Sequence, residues 1–185
     1  MIVSTYPVSP RLVTFTEALG SNEPVSEWDD AETALKAALH HLQHLSQVWK
    51  TVLSRHVYHI AMGNLVDTAL IMFLETVLKA EEISEPASRF VHYLFIEAVT
   101  SSTEVFRTDE TGAEGLSEIA SKNAVEFGKL EAVGHFMVMR LDDIERGLEE
   151  GTFRCLKAKE LSKLISAAFD ESDKRRRLLN LLTSR

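Results

Sequence analysis

The sequence is poor in the residues that break helices and in the residue that cross-links folds. Its 185 residues include only eight glycines and four prolines, and three of the prolines lie at positions 7, 10 and 24. Such a chain has few turns, which favours long helices over a sheet of many strands. The single cysteine, Cys155, cannot form an internal disulfide, which is typical of a protein from a reducing compartment.

Membrane-spanning and secretory segments are also missing, and positive charge is in deficit. No apolar run approaches the length of a transmembrane helix, and the N-terminus lacks the basic start and apolar core of a signal peptide. Lysine and arginine number 20 against 28 acidic residues, a formal net charge of −8. Because nucleic-acid binders usually carry a basic face, this charge argues against DNA or RNA as a partner. We therefore expect a soluble, cytoplasmic protein.

Apolar residues recur at spacings of three and four over most of the chain, and no stretch alternates as a strand does. Residues 1–27, which hold three prolines, are interpreted as an irregular lead or the end of a preceding element. The domain itself covers residues 28–185. Helices are predicted over residues 28–53, 57–79, 84–105, 116–148 and 157–169, with a short last helix after Asp170 or Ser172. The expected fold is an all-α bundle of five to seven helices.

Individual residues mark where these helices begin, end and face inward. Ser84 is a natural N-cap with Pro86 in the first turn, and Gly151 is a C-cap. Gly128 marks a bend or a break within the region 116–148, which is one helix or two. The inward face of the first helix is predicted to comprise Leu35, Leu39, Leu42, Leu45, Trp49 and Val52. The inward seam of the region 116–148 is predicted to comprise Leu130, Val133, Met137, Leu141, Ile144 and Leu148.

The histidines are the candidates for a metal site. His40, His41 and His44 form the sequence HHLQH, and His56 lies within one turn of His59. Imidazole pairs one turn apart can bind zinc. A zinc-hydrolase helix, however, carries HExxH with the glutamate as base, and no glutamate stands in this pair. We interpret these histidines as ordinary helix residues and keep a histidine-based metal-binding helical protein as an alternative.

No pattern for catalysis emerges from the remaining residues. Cys155 lies beside Arg154 and Lys157, whose charges could lower the pKa of its thiol, but no framework for a catalytic histidine accompanies it. The carboxylates of the 142–150 stretch decorate a polar helix face, and glycine-rich phosphate loops are absent. We therefore predict no catalytic residue, no metal and no cofactor.

Two features are candidates for contact with a partner. A basic run, consisting of Lys174, Arg175, Arg176 and Arg177, stands out in an acidic chain. It could bind a phosphate, an anionic membrane or an acidic partner, or it could be the exposed side of the last helix. Met139 lies off the inward seam, and flexible methionines suit contact surfaces. The predicted partner-binding residues are therefore Met139 and this basic run.

Two blocks of the sequence resemble the C-terminal domain of the zeste-white ten family. The first contains LSQVWKTVL, VYHIAMGNLVDTAL and EEIS, and the second contains FMVMRLDDIERGLEEG and LSKLISAAFDESDKRRRLLNLL. The resemblance covers about residues 28–185. Within it, Trp49, Tyr58, Met62 and Gly63 are interpreted as a packed joint between the first two helices, and Ser54 stands where the family tends to have proline.

The resemblance implies a CATCHR-like, helical-rod tether domain that is a scaffold and not an enzyme. Its implied roles are docking of Golgi-derived vesicles at the endoplasmic reticulum, with retrograde transport and SNARE assembly, and the Rod–Zwilch kinetochore complex of the mitotic checkpoint. The implied partners are a large α-solenoid subunit of the Rough Deal or neuroblastoma-amplified type and Zwilch or SNARE-linked subunits, with dynactin as a further candidate. Location would be cytoplasmic, peripheral at the endoplasmic reticulum membrane through partners, and at the kinetochore. A domain of an exocyst or conserved oligomeric Golgi tether is the alternative.

Overall fold

The computed structural model of the chain describes residues 15–108 and 115–183, and α-helix is the main regular structure in both ranges. A helical turn at residues 15–18 precedes eight complete helices: α1 (Ser26–Val52), α2 (Arg55–Lys79), α3 (Glu85–Glu104), α4 (Leu116–Asn123), α5 (Phe127–Phe136), α6 (Leu141–Glu150), α7 (Ala158–Ala168) and α8 (Asp173–Thr183). The predicted all-α class is confirmed. The helices outnumber the five to seven expected because the region 116–148 holds three of them.

Helices α2 and α3 form the centre of the bundle. Helix α2 packs against α1, α4 and α5, and α3 packs most extensively along α5. Gly134 permits the close approach of α3 and α5, since a Cβ there would lie 3.1 Å from the Cβ of Phe95. His92 Nδ1 lies 2.7 Å from the Gly134 carbonyl oxygen, so a hydrogen bond joins the two helices at the same place. Helices α7 and α8 pack as a pair, and α8 also contacts α6.

Helix α2 alone, among the described residues, is long and apolar enough to cross a membrane by length and composition. The expectation that no apolar run approaches this length was therefore wrong. Its mean hydropathy reaches 1.5 over 18 residues, and 44% of that window is buried inside the bundle. A helix surrounded by other helices is apolar on most sides for that reason. The composition of α2 thus fits its central position.

The region 116–148 is interrupted twice, and Gly128 is at neither interruption. The first break lies at residues 124–126, where Val125 and Glu126 donate their backbone N–H groups to the carboxylate of Asp67 on α2, at 2.7 and 3.0 Å. The second lies at residues 137–140, where Arg140 has extended backbone angles. Gly128 lies within α5 instead. The predicted seam is therefore divided between two helices, with Leu141 and Leu148 only partly buried.

Residues 15–27 pack against the helices that follow. Phe15 and Leu19 are fully buried, and the Trp28 indole donates to the Ala18 carbonyl oxygen at 3.1 Å. The Ser84 amide donates to the Leu19 carbonyl oxygen at 2.9 Å. This part of the predicted irregular lead therefore contributes to the core, and residues 1–14 of the lead lie outside the described residues.

The inward face of α1 changes along its length. Leu35, Leu39 and Leu42 are buried as predicted, but the next inward residue is Ser46, while Val52 is 76% exposed. The Ser46 hydroxyl lies 2.7 Å from the Tyr58 hydroxyl and donates to the Val105 carbonyl oxygen at 3.2 Å. A serine therefore faces inward because it satisfies a buried carbonyl at the end of α3.

Candidate functional site

Three of the four predicted joint residues are buried, and their contacts extend beyond the first two helices. Tyr58, Met62 and Gly63 are buried, whereas Trp49 is only partly so. A Cβ on Gly63 would lie less than 3.0 Å from the Asn123 carbonyl oxygen. The close approach that Gly63 allows is thus to the end of α4 and not to α1. One turn later on α2, burial raises the pKa of the Asp67 carboxyl, although its two backbone hydrogen bonds act in the opposite direction.

Tyr58 and His59 are buried in the joint and contribute to the packing of the fold. The Tyr58 hydroxyl donates to the Val105 carbonyl oxygen, and burial raises its pKa. His59 is buried with no hydrogen-bond partner at Nε2 in the described residues. Burial lowers the pKa of its imidazole, and the positive charge of Arg55 acts in the same direction. Both side chains are therefore part of the packed core.

The histidines that were considered as metal ligands do not form a complete ligand set in the described residues. His40 Nε2 and His44 Nε2 lie 3.1 Å apart on the exposed face of α1. No group of three or more histidine, cysteine or acidic side chains that could hold a metal ion occurs among residues 15–108 and 115–183. Because a structural zinc site takes four protein ligands and a catalytic site three, this pair by itself matches neither.

Cys155 differs from its predicted environment. Cys155 is an exposed residue, but its Sγ lies 3.5 Å from the Gly128 carbonyl oxygen, and partial burial of the sulfur raises the pKa of the thiol above its ordinary value. Lys129 opposes that shift, but it does not overcome burial. The suggestion that Arg154 and Lys157 could lower this pKa was therefore wrong, because the protein packed around the sulfur disfavours the thiolate.

The four predicted cations of the basic run do not form one surface. Lys174 pairs with Asp142 and Glu145 of α6, and the other three bond elsewhere. Arg176 pairs with Asp173 at 3.0 Å, Arg177 donates to the Asp173 carbonyl oxygen at 3.4 Å, and Arg175 donates to the Ser166 carbonyl oxygen at 3.0 Å. Consecutive helical residues are rotated by about 100°, so each side chain leaves α8 in a different direction.

A groove lies where three connections between helices meet. They are the α2–α3 connection at residues 80–84, the α5–α6 connection at 137–140 and the α7–α8 connection at 169–172. The Ile83 amide donates to the Ala167 carbonyl oxygen at 2.9 Å and joins the first connection to α7. Lys163 on α7 donates to the Lys79 carbonyl oxygen at 2.9 Å, at the end of α2. The groove between the three connections has a volume of about 940 Å³.

Acidic and apolar side chains line this groove, which we call the acidic groove. Those that define it are Glu81, Glu82, Val138, Met139, Asp170 and Glu171. Of the predicted partner-binding residues, Met139 and Arg175 also line it, whereas Lys174, Arg176 and Arg177 do not. The structure thus brings together two predicted residues that are 36 positions apart in sequence.

Sequence reasoning missed the four carboxylates of the acidic groove. They occur as two adjacent pairs, Glu81 with Glu82 and Asp170 with Glu171. A signal was present, because each pair lies in a turn just before a helix, EEIS before α3 and FDES before α8. An acidic pair before a helix is also what favourable interaction with the helix dipole produces, so the sequence did not separate the two explanations.

Residues 33–182 match the family described as ZW10 C-terminal helical domain. The chain belongs to this ZW10 family. The match begins within α1 and ends within α8, so it includes both the Gly63 joint and the acidic groove of this ZW10 domain. It confirms the resemblance to the zeste-white ten family, and it supports a scaffold role in tethering or at the kinetochore in general terms. A comparison with curated proteins found no match.

Proposed function

We propose that this ZW10 domain is a non-enzymatic scaffold that binds other subunits of a multisubunit tethering complex. The observation that carries the proposal is the family match over residues 33–182. The groove at the three helix connections is the candidate contact surface.

The specific roles that we propose are those of the zeste-white ten family. One is docking of Golgi-derived vesicles at the endoplasmic reticulum, with SNARE assembly in retrograde transport. The other is service in the Rod–Zwilch complex at kinetochores during the mitotic checkpoint. In both, the proposed partner is a large α-solenoid subunit of the Rough Deal or neuroblastoma-amplified type. Membrane association would be peripheral and through partners, from the cytoplasmic side.

Recovery of partners from cell lysate tests the proposal. The full chain, immobilised by a tag, should retain a large α-solenoid subunit that mass spectrometry identifies. Lysates from interphase and mitotically arrested cells should separate the two roles, because SNARE-linked subunits would accompany the first and Zwilch the second. Recovery of exocyst or conserved oligomeric Golgi subunits alone would support the alternative tether, and recovery of no tether subunit would contradict the proposal.

A matched pair of variants links that recovery to the contact surface. Of the predicted basic run, only Arg175 lines the acidic groove, while Arg176 pairs with Asp173 outside it. We expect Arg175→Glu to increase retention of the solenoid subunit, because it replaces a positive charge by a negative one in a groove whose charged lining is mainly carboxylate. Arg176→Glu, with the same change of charge outside the groove, should leave retention unchanged. Equal effects in both variants would place the contact elsewhere on α8.

A further inference from the structure

The acidic groove has an excess of negative charge that the described protein leaves largely unpaired. Its charged lining comprises five carboxylates, of Glu81, Glu82, Glu85, Asp170 and Glu171, and two guanidinium groups, of Arg89 and Arg175. Five negative and two positive charges leave a net charge of −3. Arg89 pairs with Glu85. The other four carboxylates form no ion pair with a residue in the described ranges.

This charge restricts what the groove can bind. Phosphate-rich surfaces, whether a nucleic-acid backbone or an anionic membrane, would be repelled by it. A cationic side chain would be attracted, and the concave arrangement of like charges strengthens the local field. Lysine and arginine are the side chains that pair with carboxylates, and arginine can do so through two hydrogen bonds. The charge therefore points to a basic segment of protein.

Apolar side chains stand among the carboxylates. Val138 is 52% exposed, and Met139 and Phe169 are partly buried beside it. Methionine adapts its shape to different apolar partners, and an exposed valine in a concave site gains free energy when a partner covers it. The groove therefore offers apolar contacts as well as carboxylates. A purely cationic ligand would leave that contact unused.

The groove is held in shape before any partner arrives. Ser84 donates through its hydroxyl to the Ser21 carbonyl oxygen and through its amide to Leu19. Together with the Ile83 to Ala167 hydrogen bond, these bonds fix the acidic α2–α3 connection against the N-terminal segment and α7. A preformed site avoids the entropy cost of ordering its own chain on binding.

From these features we infer that the acidic groove binds a short segment of a partner protein in which lysine or arginine lies next to a bulky apolar residue. The cation would pair with Glu81, Glu82, Asp170 or Glu171, and the apolar side chain would cover Val138 and Met139. This inference rests on the proposed function, because it names the kind of segment that the scaffold binds.

Selection from a phage-displayed library of random peptides tests the groove without any assumption about the partner. The chain should enrich peptides that combine lysine or arginine with leucine, isoleucine, methionine or an aromatic residue. An enriched peptide, once synthesised and labelled, should bind less tightly as salt is raised. Enrichment of acidic or uncharged sequences, or of none, would overturn the inference.

Two adjacent glutamate pairs provide a matched control for the same peptide. Glu81→Lys/Glu82→Lys should weaken its binding by about tenfold or more. Glu149→Lys/Glu150→Lys makes the same change of charge on the exposed end of α6 and should leave binding within about twofold, as expected for a distant surface charge in salt. Glu81→Gln/Glu82→Gln serves if the lysine variant loses helicity. Equal effects at both pairs would contradict the inference.

Photo-crosslinking separates the failure of this inference from the failure of the proposed function. A benzoylphenylalanine at Val138, in the groove, should link to a basic-apolar segment of the retained subunit. The same substitution at Val125, which is 77% exposed and does not line the groove, should not link to that segment. Retention of tether subunits with no link at Val138 would overturn the inference alone. Retention of no tether subunit would contradict the proposed function. The peptide selection would still test whether the groove binds a basic and apolar segment.

Discussion

Gly63 on α2 and Asn123 at the end of α4 approach so closely that residue 63 has no room for a side chain. A Cβ at this position would lie less than 3.0 Å from both the carbonyl carbon and the carbonyl oxygen of Asn123. Both obstructing atoms belong to the backbone, so the clash cannot be relieved by rotation of a side chain. The end of α4, and the turn that leads into α5, therefore depend on a glycine in the central helix.

Substitution of Gly63 should show this dependence directly. We expect Gly63→Ala to lower the free energy of unfolding by about 1–3 kcal/mol, even though alanine favours a helix over glycine by about 1 kcal/mol. Gly128→Ala is the matched control, because a Cβ on Gly128 meets nothing within 4 Å. The control should leave stability unchanged or raise it. Urea unfolding followed by circular dichroism measures both, and equal midpoints would show that α4 can move away at little cost.

Asp67 fixes the turn between α4 and α5 from a distance in sequence. Asp67→Ala removes the acceptor of the Val125 and Glu126 amides, and we expect a loss of about 1–3 kcal/mol in the free energy of unfolding. Asp67→Asn keeps one acceptor oxygen and should lose less. Amide hydrogen exchange should show faster exchange at residues 125 and 126 in Asp67→Ala. Unchanged protection there would mean that the carboxylate does not hold the turn.

His59 should make stability depend on pH. Its pKa is lowered from the ordinary value of 6.5, first by burial and then by the charge of Arg55, with a smaller contribution from His56. The unfolded chain therefore binds this proton more readily than the folded chain. The stability contribution is complete above pH 6.5 and is lost as pH falls through the folded-state pKa.

Unfolding over a pH series that extends below 6.5 tests this direction. The free energy of unfolding of His59→Gln should fall less steeply with decreasing pH than that of the unsubstituted chain. His56→Gln changes an exposed histidine that contributes less to this shift than burial and Arg55 do, so its slope should differ less from that of the unsubstituted chain. The assignment fails if His59→Gln and the unsubstituted chain show the same slope.

Ser54 occupies a backbone conformation that suits proline. Its φ is −62° and ψ 148°, and the preceding Leu53 is extended, with φ −91° and ψ 146°, as a residue before proline prefers. The Ser54 side chain makes no capping hydrogen bond, so its loss removes little. We expect Ser54→Pro to raise the free energy of unfolding by about 0.4–1 kcal/mol through a less flexible unfolded chain. Ser54→Ala should give no such gain, and a lower melting temperature for the proline variant would contradict the prediction.

Structural features that depend on a few neighbouring residues could be predicted from the sequence. The period of three to four predicted α2 and α3 nearly to their ends, and Ser84 accepts from the Ala87 amide as an N-cap should. Ser172 accepts from the Arg175 amide before α8, as one of the two alternatives had it. Gly151 ends α6 with a φ of 80°. Caps and helical periodicity act within one or two turns, so the local sequence contains the information.

Only part of the candidate site could be predicted from the sequence. Met139 and Arg175 were predicted from local character, one as a methionine off the seam and one as part of a basic run. Glu81 and Glu82 were not predicted, because their position in one groove with Asp170 and Glu171 depends on the packing of α2 against α7 and on the Ile83 to Ala167 hydrogen bond. The divergence of the four basic side chains also follows from helix geometry combined with the position of α6, which pairs with Lys174 alone.

The sequence by itself determined that this chain is helical, where most helices begin and end, and which family it belongs to, because these depend on local pattern. Only the tertiary structure decided three further points. It fixed the first of the two breaks in the region 116–148 through Asp67, which lies 58 positions from Val125 in the chain. It packed enough protein against the sulfur of the exposed Cys155 to raise the pKa of the thiol. It also brought two acidic turns to one groove, because contacts between distant residues form when helices pack, and no local pattern records them.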